Sequence, residues 1–255
     1  MEKVLLFFSG GNDSTLSACR LVTQGYDVEL ITFDNGCEEG IENIRNRATI
    51  LEKLTQNSKK GKVHNLGVFQ SVSEFMSMRH QTVNIPFNEI VEKYGNLNQN
   101  QLNCLSCRSA MYIVGVAVAK ELGIKHIAEG ARKTQMFALE QKELLDGYRR
   151  VLERYDMNLM LPVFEYDNDY EVENELLRIS SHFYDIVYDG TIHYEAKCWL
   201  GNPMARPLTQ EEIDGYSQLF ERELEPRMIE DIDNYSSYPI REQLHNPVYT
   251  KIKFK

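Results

Sequence analysis

Positive charge is scarce in this 255-residue chain: 28 Lys and Arg face 38 Asp and Glu, a formal net charge of −10. Broad grip on a nucleic-acid backbone depends on Lys and Arg neutralising phosphates, so the balance excludes it and leaves only a local basic groove. The sequence reads as having no apolar stretch long enough to cross a bilayer, which predicts no membrane partner. Val4-Leu5-Leu6-Phe7-Phe8 is too short for a signal-peptide core and runs straight into glycine, so the expected location is cytoplasmic. Cysteine is also sparse. Five residues in such a compartment point to thiols, metal ligands or catalysts rather than disulfides. The six histidines show no metal-ligand spacing, and there is no internal repeat.

Apolar residues are sufficient: 42% of the chain is hydrophobic, enough for a full core. Residues 3–8 read as a strand whose continuous apolar run, Val4 to Phe8, is what burial on both faces requires. A helix over Thr15–Thr23 follows, closed by Gly25, then a strand over Val28–Phe33, a helix over Ile41–Leu54 and a short strand over Lys62–Leu66. Arg108–Leu122 reads as an apolar helix and His126–Ala128 as the next strand. The polar tract Asn96–Gln101 is predicted to be a loop leading into Cys104. Strands alternating with helices predict an α/β, doubly wound parallel sheet. From about Leu208 the chain turns charged and helical. The predicted division is a catalytic domain over 1–207 and a C-terminal helix and tail, 208–255, packed on its core.

The junction between first strand and first helix is Ser9-Gly10-Gly11-Asn12-Asp13-Ser14-Thr15. Glycines allow a tight turn and close backbone approach to a ligand, and the helix start adds amide donors and partial positive charge. Ser9, Ser14 and Thr15 add hydroxyls, and Asp13 can orient a magnesium ion carried by a nucleotide. The spacing fits neither the Walker loop nor the dinucleotide fingerprint. It resembles the SGGxDS signature of the N-type PP-loop ATP pyrophosphatases, which include GMP and asparagine synthetases, 7-cyano-7-deazaguanine synthase and tRNA thiolation enzymes. The resemblance implies a HUP-like, adenine nucleotide alpha hydrolase-like sheet. It implies that Ser9, Gly10, Gly11, Asp13 and Ser14 bind the ATP phosphates, and that adenine is contacted by the end of the second strand, here Thr32, Phe33 and Asp34.

Cys104-Leu105-Ser106-Cys107 is a CxxC pair opening the apolar helix, and Cys198 follows about ninety residues later. A pair alone fits zinc, a redox couple or buried thiols; a third cysteine adds the option of a cluster with one open iron. The layout resembles the tRNA 2-thiocytidine synthetase group, which implies a [4Fe–4S] cluster on Cys104, Cys107 and Cys198, with zinc as the alternative. That resemblance spans roughly residues 1–201. Cys19 reads as core, and Cys37 as without a role.

Gly130-Ala131-Arg132-Lys133 ends the strand at the same sheet edge, where Arg132 and Lys133 would hold phosphate or pyrophosphate, or form a solvated basic turn. Arg108 fits either an anion contact or an ordinary helix-start arginine. Thiolation enzymes often carry Gly-His followed by acidic residues at the 130 position, a departure that bears on the acceptor more than on ATP chemistry; Leu161-Pro162-Val163 resembles the family's Arg-Pro-Leu segment, with Leu161 in place of the arginine. Phe183–Tyr194 is aromatic-rich and suits packing or base stacking.

The expectation is an ATP- and Mg2+-dependent enzyme that adenylates a carbonyl oxygen, releases pyrophosphate and replaces the oxygen with sulfur through the cluster. The acceptor is a tRNA base or a small heterocycle, a sulfur donor is required, and a homodimer is compatible. The alternatives are an ammonia-using, amide- or nitrile-forming enzyme similar to 7-cyano-7-deazaguanine synthase, and a nucleotide-binding module without turnover.

Overall fold

The computed structural model describes residues 1–34, 41–69, 85–133, 137–184 and 207–235. Five strands, β1 (Lys3–Phe7), β2 (Asp27–Phe33), β3 (Val63–Phe69), β4 (His126–Ala128) and β5 (Asn158–Met160), form one parallel sheet in the order β3-β2-β1-β4-β5. The chain winds outward from β1 to β3, then returns to the other side of β1 for β4 and β5. That reversal puts a crevice at the carboxyl ends of β1 and β4, where open α/β sheets bind ligands.

Side chains of β1 alternate between the two faces, as strand geometry dictates. Val4, Leu6 and Phe8 join Leu16, Leu21, Ile44, Leu51, Val172 and Leu176. These come from α1 (Asn12–Gln24), α2 (Ile41–Thr55) and α6 (Asp169–Ile179). Leu5 and Phe7 face the second core, built from α3 (Phe87–Tyr94), α4 (Gln99–Leu122), α5 (Lys142–Glu153), α7 (Gln210–Leu219) and α8 (Glu225–Tyr235). Thr209 and Glu212 form a reciprocal capping box at the start of α7, and a π-turn over Phe220–Leu224 joins α7 to α8. Tyr216, Phe220, Met228 and Ile232 are fully or almost fully buried against α4 and α5. Burying each is worth about 1.5–3 kcal/mol, so the helical part of the C-terminal region is bound to the same core as the sheet.

Two expectations need correction in α4. The tract over 96–101 is not all loop: the Asn98 side chain accepts from the amides of Asn100 and Gln101, and Gln99–Gln101 is the first helical turn. The polar residues that suggested a loop are the cap and its turn, a use for which Asn is well suited. At 24 residues α4 also has the length and apolarity of a membrane span, which the sequence reading had not recognised. The run Ile113–Ala119 is buried throughout, and a helix covered on all sides by its own protein is apolar all round for that reason.

Candidate active site

The glycine loop is organised by its own short side chains. Gly10 has φ +79°, the left-handed region that favours glycine, and turns the chain off β1. The Gly11 amide donates to Ser9 Oγ at 3.2 Å, and Ser9 Oγ lies 3.2 Å from Ser14 Oγ. The Gly11 carbonyl accepts from Thr15 N (3.0 Å), Thr15 Oγ1 (2.7 Å) and Ser14 Oγ (3.1 Å). As the N-cap of α1, Gly11 brings no capping side chain. A helix start leaves its first amides without intrahelical acceptors, and at this one Asp13 and Ser14 of the first turn line a cavity. Thr15 is fully buried behind the loop, its hydroxyl committed to Gly11.

Arg47, on α2, buttresses the loop and was not singled out from the sequence. It is 1% exposed, and Nη1 donates to the Gly10 carbonyl (2.5 Å), Asn12 Oδ1 (3.2 Å) and Thr15 Oγ1 (3.2 Å). Nothing in the pattern of α2 distinguishes it from a solvated helix arginine; only tertiary packing brings it under the turn.

A cavity of about 330 Å³ opens at the carboxyl edge of the sheet. One wall is Ser9, Asp13 and Ser14; a second is Thr32, Phe33 and Ile44, with Phe7 and Phe8 beneath; the third is Arg108, Met111, Glu129, Gly130, Phe137 and Glu140. Phe33 packs edge-on against Phe7 with ring centroids 5.1 Å apart, giving an apolar end to a site whose other end is polar. The Thr32 hydroxyl donates to the Phe8 carbonyl at 2.9 Å, fastening β2 to the start of the loop. Asp34, whose amide donates to Phe69 O at 3.1 Å, is not a lining residue. Gly130 lies against the first turn of α1: a Cβ there would stand 2.8 Å from Ser14 N and 2.9 Å from the Asp13 carbonyl carbon. A glycine is required because backbone meets backbone.

Asp13 lines the cavity while its Oδ2 accepts from Arg132 Nε at 3.0 Å. One carboxylate beside the glycine loop is a donor that would fit magnesium, which is usually held by one or two carboxylates plus phosphates of a bound ligand. Arg132 is 6% exposed and also pairs with Asp169, so it clasps α1 to α6. Burial opposes its charge, but Asp13 and Asp169 more than offset this and raise its pKa. Lys133 pairs with Asp167 at 2.9 Å on the surface. Neither cation is a lining residue of the cavity; Arg132 acts on Asp13, which is.

Arg108 pairs with Glu129 inside the cavity. Burial disfavours the guanidinium charge, yet the Glu129 carboxylate outweighs it and raises the pKa. Glu129 is 1% and Glu140 6% exposed. Burial pushes the Glu140 carboxyl up to about 8. Neither acid was singled out from the sequence. Glu129 had one legible cue, a charged residue at the carboxyl end of a buried strand; Glu140, on a 3-10 turn over Ala138–Glu140, had none.

The CxxC pair lies within α4 rather than at its start, because the helix begins at Gln99. Cys104 and Cys107, three residues apart, share a helix face and are half-buried against the core, neither in a disulfide. That placement suits two ligands of one group. Among the described residues no three His, Cys, Asp or Glu come together as a metal site. Cys198, Cys37, His193 and most of Phe183–Tyr194 lie outside the described residues. Phe183 is in the core, and Cys19 is buried in α1 with its thiol pushed up to about 12, as expected of a structural thiol.

Comparison with known proteins accords with this geometry. Residues 1–167 match the family described as Thiamine biosynthesis protein (ThiI). The chain is 28% identical over 148 residues to the tRNA-specific 2-thiouridylase MnmA 2 of Fusobacterium nucleatum subsp. nucleatum, covering 58% of this chain and 38% of that protein. Among solved structures, a 4-thiouridine synthetase–RNA complex with bound ATP superposes with a TM-score of 0.58 at 16% identity, over 92% of this chain and 53% of that one. At that identity the likeness is one of fold, and the chain spans only about half or less of either protein. The family match falls on ThiI, whereas the cysteine layout had suggested the 2-thiocytidine synthetase group. The chain belongs to the ThiI family, and so to the PP-loop ATP pyrophosphatase superfamily that its glycine loop resembles.

Proposed function

We propose that this chain adenylates a carbonyl oxygen on a tRNA base with ATP and then exchanges that oxygen for sulfur. The observation that carries the reading is the cavity at the switch point. There Ser9, Asp13 and Ser14 of the loop and first helical turn line one space with the close-set Gly130. The 2-thiouridylase and the 4-thiouridine synthetase–RNA complex with ATP support the acceptor assignment by what they are named for.

Phosphates occupy the loop end, and adenine packs at Phe33 and Ile44. Asp13, oriented by Arg132, would hold Mg2+, which when bound would offset phosphate charge. The ring oxygen attacks the α-phosphorus, and the bond to pyrophosphate breaks. An amide-type oxygen is a poor leaving group; AMP is a good one, so a sulfur nucleophile then displaces AMP from carbon. Cys104 and Cys107, with Cys198, are the residues for sulfur handling as ligands of a [4Fe–4S] cluster, which when bound would supply sulfur at an open iron.

Conversion of α-labelled ATP to AMP, with and without unmodified tRNA, tests the reading. Dependence on tRNA and loss in Ser14→Ala are expected. ATP binding without AMP under any acceptor would instead favour a nucleotide-binding module. AMP formation with a free heterocycle but not tRNA would move the acceptor to small molecules. Anaerobic iron and sulfide analysis of wild type and Cys107→Ser addresses the cluster: iron and acid-labile sulfide are expected in wild type and lost in the variant, whereas zinc would replace that part of the proposal.

A further inference from the structure

The third wall of the cavity contains chemistry that phosphate and adenine binding do not use. It is closed by Arg108 and Met111 of α4, Glu129 after β4, and Phe137 and Glu140 at the short 3-10 turn. Buried carboxyls in a site that receives a polyanion are unfavourable unless something in the site needs them. Glu129 Oε2 accepts from Arg108. Glu140 Oε2 has no hydrogen-bond partner among the described residues. The turn that carries Glu140 is fixed: the Ala138 amide donates to buried Gln101 Oε1 at 2.9 Å, and the Glu140 amide donates to Phe137 O at 3.1 Å. An enclosed carboxyl on a fixed turn, with an unused oxygen, is a binding group awaiting a donor.

The charges acting on Glu140 are Arg108 of α4, Glu129 after β4, Asp13 of α1 and Arg132 of the loop after β4. Burial raises its proton affinity most, Glu129 and Asp13 add to this, and Arg108 and Arg132 oppose it. The result, about 8, makes Glu140 a far better proton acceptor than a surface glutamate and leaves it partly ionised near neutrality.

We infer that Glu140 reads the acceptor: it accepts a hydrogen bond from the N–H of a lactam edge, such as a uracil ring presents, and takes that proton as the neighbouring oxygen bonds to phosphorus. This rests on the adenylation reading above. In the step the N–H bond breaks and its electron pair moves into a ring C=N bond. The carbonyl pair forms the O–P bond, and pyrophosphate leaves with the electrons of its P–O bond. The proton ends on Glu140, giving the neutral carboxyl that a buried site favours. Glu129 stays paired with Arg108 behind it, and no oxidant or further reactant is required.

The test uses the full chain loaded with α,β-methylene-ATP, which cannot release pyrophosphate. Saturation-transfer NMR compares uridine 5′-monophosphate with 3-methyluridine 5′-monophosphate, in which methyl replaces the ring N–H. Above pH 8, where Glu140 is mostly ionised, wild type is expected to favour uridine by about tenfold, the effect of one hydrogen bond to a charged group. Glu140→Gln keeps an acceptor oxygen and retains the preference, while Glu140→Leu loses it. With unmodified tRNA, Glu140→Gln is expected to lower kcat for AMP formation by about a hundredfold with KM unchanged, a split that a purely structural role would not give. Equal transfer to the two nucleotides in wild type, no transfer to either, or full preference in a folded Glu140→Leu would overturn the inference. Because the first two outcomes are read on wild type, misfolding of Glu140→Leu does not rescue it. If the ATP analogue itself fails to bind, it is the nucleotide-site reading that fails, and the two failures are thereby distinguished.

Discussion

Gly130→Ala places a single methyl group between two backbones. The added Cβ would lie 2.8 Å from Ser14 N and 2.9 Å from the Asp13 carbonyl carbon, whereas ordinary contact begins at about 3.4 Å, so the two segments must separate by roughly 0.6 Å. Neither side has a rotamer to give. The first turn of α1 is held by three bonds to the Gly11 carbonyl, and the strand end is held by Glu129 N to Met160 O (3.2 Å) and Lys133 N to Phe164 O (3.2 Å). Forced separation of this kind costs about 1–3 kcal/mol. At roughly 2–4 °C per kcal/mol for a chain of this size, a Tm loss of several degrees is expected. The same shift carries the amides of α1 outward, and about 0.6 Å takes an N–H···O contact near 2.9 Å beyond its useful range. ATP affinity should therefore fall about tenfold or more, equivalent to one or two such bonds. Calorimetric titration of ATP alongside thermal unfolding measures both. Ile232→Val, in the core beyond α4, serves as control: it costs about 0.5–1.5 kcal/mol and should leave ATP affinity alone. If Gly130→Ala bound ATP like wild type at an unchanged Tm, the close approach of the two backbones would be refuted.

Glu140 gives a stability prediction with a definite sign. Its folded pKa, about 8, lies above the ordinary 4.5, so between those values the unfolded chain is ionised there while the folded protein is mostly protonated, with an ionised fraction that grows toward 8. Its contribution is full below about pH 4.5 and lost as pH rises through 8, at up to about 1.4 kcal/mol per pH unit; urea unfolding of Glu140→Gln should lack that slope, and parallel slopes in both proteins would contradict it. Arg47→Met removes the Nη1 donor from Gly10 O, Asn12 Oδ1 and Thr15 Oγ1 and should lower stability by about 2–3 kcal/mol, with ATP binding weakened as well; a neutral result in urea unfolding would remove Arg47 from the support of the loop. Cys19, with its thiol pushed up to about 12 by burial, should resist iodoacetamide at pH 8 in the folded protein and react once urea is added, as peptide mass mapping would register; modification in the folded state would contradict its burial.

The fold was legible because its signals are local. Apolar runs of strand length, the glycine-rich turn after β1 and Gly25 after α1 each lie within a few residues of the element they define, and each appears where expected. The element most misread was the start of α4, where Asn98 caps a helix whose first turn is as polar as a loop. Composition could not separate the two; the separating fact is that Gln101 is fully buried and accepts from Ala138 N, a contact 37 residues away in sequence.

The same contrast divides the site. Ser9, Asp13, Ser14, Thr32, Phe33 and Gly130 could be named because each stands at the carboxyl end of a strand or in the turn that follows, and a doubly wound sheet delivers all such positions to one edge. Arg47 and Glu140 reach that edge from the middle of a helix and from an isolated turn, with no periodicity or motif to mark them. Arg132 and Lys133 show the limit from the other side: they stand in the right loop, yet their charges go to Asp13, Asp169 and Asp167. Backbone position along a sheet edge is thus encoded locally, whereas the electrostatics of the cavity are set by which distant side chains fold into it. The choice of acceptor is the property most exposed to that second kind of information. An Arg108–Glu129 pair beside an unused carboxyl disfavours a further anion and favours a neutral donor such as a ring N–H, so acceptor selectivity should follow Glu140 rather than the glycine loop.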